Sequence, residues 1–148
     1  MITPQRAQRF RSKGFKMVHP NGLPNHYVGR PTPYGNCFKL ENGIIYIDGS
    51  QRRQLSEKTW REVCPGDHQM VQDLFHAVFT GNIEYLNVDL SAVMIDVKCW
   101  IKHYESVDLQ LIRGMNLYCF CPPFDQNGNK FPCHADVLIK LANPKEKE

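Results

Sequence analysis

The first forty residues contain no aspartate and no glutamate. They do contain seven basic residues: Arg6, Arg9, Arg11, Lys13, Lys16, Arg30 and Lys39. No apolar run approaches the ~20 residues of a membrane-spanning helix, so no membrane partner is expected. The basic start, MITPQRAQRFRSKGF, has no apolar stretch behind it, which argues against a secretory signal. No internal repeat is visible, so a solenoid or propeller is not expected. Low-complexity sequence is lacking outside the tail after Asn143.

What is present suits a globular chain. Of 148 residues, 42% are hydrophobic and 22% charged, enough for one real core. We therefore expect one domain, 1–148, with a basic arm at 1–25 and a solvated tail at 144–148. The net charge of +3 is an average of two unlike parts. Residues 41–148 hold eleven basic and fifteen acidic residues, a balance of −4. The positive part is thus concentrated at the N-terminal end, where it suits a nucleotide-like ligand or a nucleic acid. A solvated arm that complements the acidic remainder is the plainer reading.

Hydrophobic spacing predicts mixed secondary structure. A short strand is expected at 26–29, then a turn-rich loop at 29–36. Cys37–Leu40 and Ile44–Ile47 read as a hairpin around Asn42-Gly43, a pair that tolerates positive φ. Residues 48–66 look irregular, with a helical turn near Glu57–Glu62. Apolar stripes predict helices at 67–80, capped by Asp67, and at 89–104, capped by Asp89. A helical turn at Asp108–Arg113, a strand at Leu117–Phe120 and a helix at His134–Ala142 complete the set. The fold class is α/β or α+β, with a small sheet of about four strands and helices packed on it.

Six cysteines, at 37, 64, 99, 119, 121 and 133, lack the secreted context of a disulfide framework. A reducing cytoplasm is the expected compartment. Three of them crowd around a loop in LYCFCPPFDQNGNKFPCHADVL, residues 117–138. Period-two alternation puts Cys119 and Cys121 on one strand face, and Cys133 and His134 open the next helix. Three readings stand side by side. Cys119, Cys121, Cys133 and His134 form a tetrahedral zinc site. Alternatively Cys133 is a thiolate activated by the helix N-terminus, with His134 and Asp136 as acid and base. Or the thiols are small core residues and His134 is a satisfied cap.

A second constellation is Gly29-Arg30-Pro31-Thr32-Pro33-Tyr34-Gly35-Asn36. Arg30 offers a planar fork for phosphate. Thr32 and Asn36 add hydrogen bonds, Tyr34 a stacking face, and Gly35 allows close approach. Arg6, Arg9, Lys13 and Lys16 recur at spacings of three and four and would share a face if helical. Ligand contacts are therefore expected from Arg6, Arg9, Lys13 and the 30–36 loop. As an isolated loop, 29–36 also reads as a plain Pro/Gly turn.

Three blocks carry a family resemblance. QRAQRFRSKGFKM at 5–17 is similar to a QR…R.KGW element, and YVGRPTPYGNCF at 27–38 to VGRPTKWGNPF. IRGMNLYCFCPP and PCHADVLIKLAN, within 112–143, are similar to LRGKDLACWCP…CHADVL. Together they resemble the domain-of-unknown-function 4326 family of phage and bacterial proteins. The chain departs from that pattern at Tyr34 (Trp), Cys37 (Pro), Met115-Asn116 (Lys-Asp) and Phe120 (Trp). The resemblance implies a phage or prophage origin. It also implies that Arg30, Gly35, Asn36, Cys119, Cys121, Cys133, His134 and Asp136 matter, and it supplies no activity. The leading functional expectation is a domain that binds a phosphate-bearing ligand. If catalytic, it would act on glycosidic or phosphoryl bonds of a nucleotide. The alternative is a non-enzymatic interaction module braced by structural zinc.

Overall fold

The structure is a computed structural model that describes residues 3–8, 21–49, 60–122 and 124–144. Arg9, Arg11, Lys13, Lys16 and residues 145–148 lie outside the described residues. In chain order the elements are β1 (Arg6–Gln8), β2 (Asn25–Tyr27), β3 (Phe38–Glu41), β4 (Ile44–Asp48), β5 (Trp60–Pro65), α1 (His68–Thr80), α2 (Met94–Glu105), β6 (Asn116–Cys119) and α3 (His134–Ala142). The class is α+β. The chain divides into two compact units, one from Met1–Gly35 plus Asp108–Glu148 and one from Asn36–Val107.

The first unit holds a parallel sheet in the order β1-β6-β2. Arg6 pairs with Leu117 and Gln8 with Cys119 on one side, and Asn25 with Asn116 and Tyr27 with Tyr118 on the other. All three strands run the same way, so Gln8, Tyr27 and Cys119 end at one edge. Helix α3 packs against β6 and β1. Leu117, Ala135 and Leu138 are fully buried there. Tyr118 and Phe120 alternate with buried Leu117 and Cys119 and are half-buried.

A polar pin starts the central strand. Asn116 is fully buried. Its Oδ1 accepts from the Gln5 amide at 2.9 Å and from Asn21 Nδ2 at 2.8 Å. Its Nδ2 donates to Asn21 Oδ1 at 2.9 Å and Asn25 Oδ1 at 3.0 Å. One side chain therefore ties both flanking strands to β6. Each buried partner left unsatisfied costs about 1–3 kcal/mol. Asn116→Leu is expected to destabilise the protein by at least about 3 kcal/mol in urea titration. An unchanged unfolding midpoint would contradict this role.

The second unit holds an antiparallel sheet in the order β3-β4-β5. The β3-β4 hairpin turns at Asn42 (φ 52°) and Gly43 (φ 77°), as the Asn-Gly pair predicts. Helix α1 is capped by Asp67 Oδ1, which accepts from the Met70 amide at 2.9 Å, and stops at left-handed Gly81. Phe75, Phe79, Trp100 and Tyr104 stack between α1 and α2. The Trp100 indole N–H donates to the Asp48 carbonyl at 2.7 Å, which fixes α2 on the end of β4.

Several expectations are corrected. The strands form two three-stranded sheets rather than one of about four, because parallel and antiparallel pairs separate. Trp60–Pro65 is strand β5, not an irregular or helical stretch, since β4 supplies a partner for it. Within the expected helix at 89–104, Asp89 closes a short turn onto the Ser91 amide, and the α-helix begins only at Met94. Arg6–Gln8 is a strand, so Arg6 does not join a helical basic face.

Candidate functional site

The end of β6 and the start of α3 bring three sulfurs together. The Sγ atoms of Cys119, Cys121 and Cys133 all lie within 4.8 Å of one another. Cys119 and Cys133 are 3.1 Å apart and both are buried, while Cys121 is half-buried. None of the three is in a disulfide. The strand supplies the first pair by alternation, and the extended backbone at Cys133, the residue before α3, turns the third toward them.

His134 lies beside the cluster, next to Cys133. Its Nε2 donates to the Val28 carbonyl at 2.8 Å, since a carbonyl only accepts. Burial pushes the ring's pKa down, so it is neutral and its Nδ1 carries the lone pair. That Nδ1 lies 3.7 Å from Cys133 Sγ. The Val28 carbonyl thus fixes the tautomer in the way a metal-ligating histidine requires.

The three thiols do not ionise equally. Cys121 is drawn down because the Cys119 and Cys133 thiols donate to its sulfur, with Arg6 adding smaller electrostatic help. The same hydrogen bond to Cys121 pushes Cys119 up to about 12. Hydrogen bonding to Cys119 and Cys121 drives Cys133 up as well. A second negative charge beside the first is opposed by like-charge repulsion, which a cation would offset.

Arg6 frames this cluster. Its guanidinium donates to the Phe131 carbonyl, to Asp136 Oδ2 at 2.7 Å and to the Pro122 carbonyl at 3.5 Å. It therefore grips both feet of the loop between Cys121 and Cys133. Asp136 also meets Lys130 Nζ at 3.2 Å. Within the loop, Asp125 Oδ1 accepts from the amides of Asn127 and Asn129 at 2.8 and 2.9 Å and shapes a tight tip.

The remaining predicted residues are placed as follows. Arg6 is a buried brace and not a ligand contact, because its fork is occupied by the loop and Asp136. Asp136 is its counter-charge. Cys133 is buried, and hydrogen bonding to Cys119 and Cys121 pushes its thiol pKa up. Tyr34 offers no stacking face: it is 4% exposed, edge-on to His26, and its hydroxyl donates to the Asp108 carbonyl at 2.7 Å. The Thr32 hydroxyl donates to the Gly29 carbonyl at 2.7 Å. Asn36 belongs to the second unit, where its Oδ1 accepts from the Phe38 amide. Arg30 is exposed on the loop that follows β2.

Two residues of the loop were not singled out from the sequence for their contacts. Tyr27 folds its hydroxyl over the backbone and donates to the Arg30 carbonyl at 3.1 Å. A Cβ added at Gly29 would lie 2.3 Å from that hydroxyl oxygen, so glycine is needed there. The sequence signal is an aromatic two residues before a loop glycine.

These features define an α+β protein with a thiol–imidazole cluster at the carboxyl edge of a parallel sheet. The chain belongs to the family described as domain of unknown function (DUF4326), whose model matches residues 8–144. No curated protein and no solved structure matches it. No helix among the described residues is long and apolar enough to cross a membrane.

Proposed function

We propose that Cys119, Cys121, Cys133 and His134 hold one zinc ion, and that the protein is a zinc-braced binding module. The observation that carries this is the mutual approach of three sulfurs beside an imidazole lone pair. In a tetrahedral site with Zn–S near 2.3 Å, sulfurs sit ~3.8 Å apart and sulfur to nitrogen about 3.6 Å. The three sulfurs lie within 4.8 Å of one another, with Cys119 and Cys133 at 3.1 Å, and the 3.7 Å from Cys133 Sγ to His134 Nδ1 is close to the second value. A divalent cation would also let all three thiols ionise together. It would join the end of β6 to the start of α3 across an eleven-residue loop, Pro122–Pro132.

Elemental analysis of protein purified without added metal is expected to find about one zinc per chain. Cobalt substitution is expected to give the intense visible bands of a tetrahedral site and thiolate-to-metal charge transfer in the near ultraviolet. Cys121→Ser should lose most of the metal. Wild-type protein that carries no metal and takes up no cobalt would overturn the assignment.

A second reading concerns the Arg30 loop as a contact for a phosphate-bearing ligand. Its support is position. The loop leaves the carboxyl end of β2, and ligands of parallel sheets bind beyond the carboxyl ends of the strands. The chain also leaves that edge from β1 into the segment that contains Arg9, Arg11, Lys13 and Lys16. Arg30→Ala should weaken binding of such a ligand at least about tenfold, the scale of one charge-assisted contact.

A further inference from the structure

We propose that the cysteine cluster is an oxidation site, at which a hydroperoxide converts Cys119 and Cys133 to a disulfide and displaces the metal. The disulfide follows from the sulfur geometry alone. The displacement rests on the zinc reading above.

The geometry selects this pair. The Cys119 and Cys133 sulfurs stand 3.1 Å apart, and a shift of about 1 Å brings them to bonding distance. The two residues belong to different elements, the last residue of β6 and the residue before α3. Thirteen residues, Phe120–Pro132, separate them, an ordinary loop for a disulfide to close. Both cysteines are 3% exposed, so the bond once formed is shielded from thiol reductants. Protein contacts also hold the two ends of the loop. The Arg6 guanidinium donates to the Phe131 and Pro122 carbonyls and pairs with Asp136. Cys121 directly precedes Pro122, and Cys133 lies between Phe131 and Asp136 in the chain. The approach of the sulfurs therefore has a support apart from any ion.

Cys121 supplies the way in. It is half-buried, the least covered of the three, and its sulfur lies within 4.8 Å of the other two. The steps are written for hydrogen peroxide. The Cys121 sulfur attacks one peroxide oxygen, the O–O bond breaks, and water leaves with the thiol proton. The product is a sulfenic acid on Cys121. The Cys133 sulfur then attacks that oxidised sulfur, the S–O bond breaks, and a second water leaves with the Cys133 proton. Finally the Cys119 sulfur attacks the Cys133 sulfur, and Cys121 departs as a thiol carrying the Cys119 proton. Two thiols lose two electrons in total, and one peroxide becomes two waters. With a metal bound, the two protons come from solvent and the divalent cation departs. Two of its four ligands are then neutral and tied to each other. The new bond joins the same two elements as the ion would, so β6 and α3 stay linked while a dication leaves the sheet edge.

The test adds hydrogen peroxide, in steps of about one equivalent per chain, to full-length protein with its metal retained. A coloured chelator follows zinc release. Unreacted thiols are blocked, and tryptic peptides are mapped by mass spectrometry without reduction. Gly114–Lys130 is expected to be linked to Phe131–Lys140, with fragmentation assigning the bond to Cys119 and Cys133. Zinc release should rise in step with this linked peptide, and dithiothreitol should reverse both. In metal-stripped protein, Cys121→Ser is expected to form the link at least about tenfold more slowly than wild type. Equal rates would overturn the route through Cys121, and a bond from Cys133 to Cys121 alone would overturn the pairing. Wild type that holds zinc and yields no linked peptide overturns the oxidation site and leaves the zinc reading standing. Wild type that holds no metal yet links Cys119 to Cys133 removes the zinc and sustains the oxidation site.

Discussion

Stripping the protein with a strong chelator is expected to lower its unfolding midpoint by more than about 10 °C, because the proposed zinc would carry several kcal/mol of fold stability. Apparent binding energies of structural zinc are about 10–16 kcal/mol, against about 5–15 kcal/mol for the whole stability of an ordinary domain. The ion would close a loop that is also tied by the Arg6 brace, the Lys130–Asp136 ion pair, the Asp125 tip and the Phe124–Lys130 bridge. Without a cation, hydrogen bonding among the three sulfurs pushes Cys119 and Cys133 up toward the thiol form, and no ion ties β6 to α3. The measurement is a thermal melt with and without chelator, followed by re-addition of zinc. A midpoint that does not move, in protein shown to have lost its metal, would reduce the cluster to core packing.

Arg6→Ala is expected to cost about 3–5 kcal/mol, the scale of breaking a buried ion pair by removing one partner. The arginine side chain is 4% exposed and the Asp136 carboxylate 14%. Loss of the guanidinium leaves the carboxylate with Lys130 and leaves two loop carbonyls without this donor. Arg6→Lys should recover only part of the loss, since a point ammonium cannot span Phe131, Asp136 and Pro122 as a fork does. Urea unfolding of the three proteins measures this. Equal stability of Arg6→Ala and wild type would mean that the brace is dispensable.

These two effects differ in how visible they are in sequence. The cysteine cluster is legible because its geometry is local. Alternation in β6 sets Cys119 and Cys121 on one side, and a helix start places Cys133 and His134. The bounds of α3 follow from Pro132 before it and Asn143-Pro144 after it. The Asn42-Gly43 hairpin is equally local.

Arg6 is different. In a run of basic residues it looks like one more solvated charge. Its partners, Phe131 and Asp136, are more than a hundred residues away and come near only because β1 pairs with β6. Arg6-Ala-Gln has no strand pattern of its own, so β1 exists through its partner. The same holds for Asn116, whose bonds run to Gln5, Asn21 and Asn25. Strand β5 shows no clean apolar alternation, with Trp60, Val63 and Cys64 its apolar residues, because the register shift opposite Ile45/Tyr46 leaves Val63 as an extra residue that breaks the period-two pattern. Tyr34 misled for a related reason: its ring suggests a stacking face, and only the fold shows that ring buried.

The position of β6 in the chain has a consequence during synthesis. It is the middle strand of its sheet, yet it emerges about ninety residues after β2. At about 5–20 residues per second, β1 and β2 wait several seconds on the ribosome without their partner. The intervening residues, Asn36–Val107, contain all the strand pairings of their own sheet and have no such delay. The order of assembly is thus written into the order of translation. The unit with the cysteine cluster is completed later than Asn36–Val107, once β6 and α3 have both emerged. A waiting strand edge is a hazard for mispairing. Here β1 and β2 span only three residues each, and Arg6 puts a charge on the first.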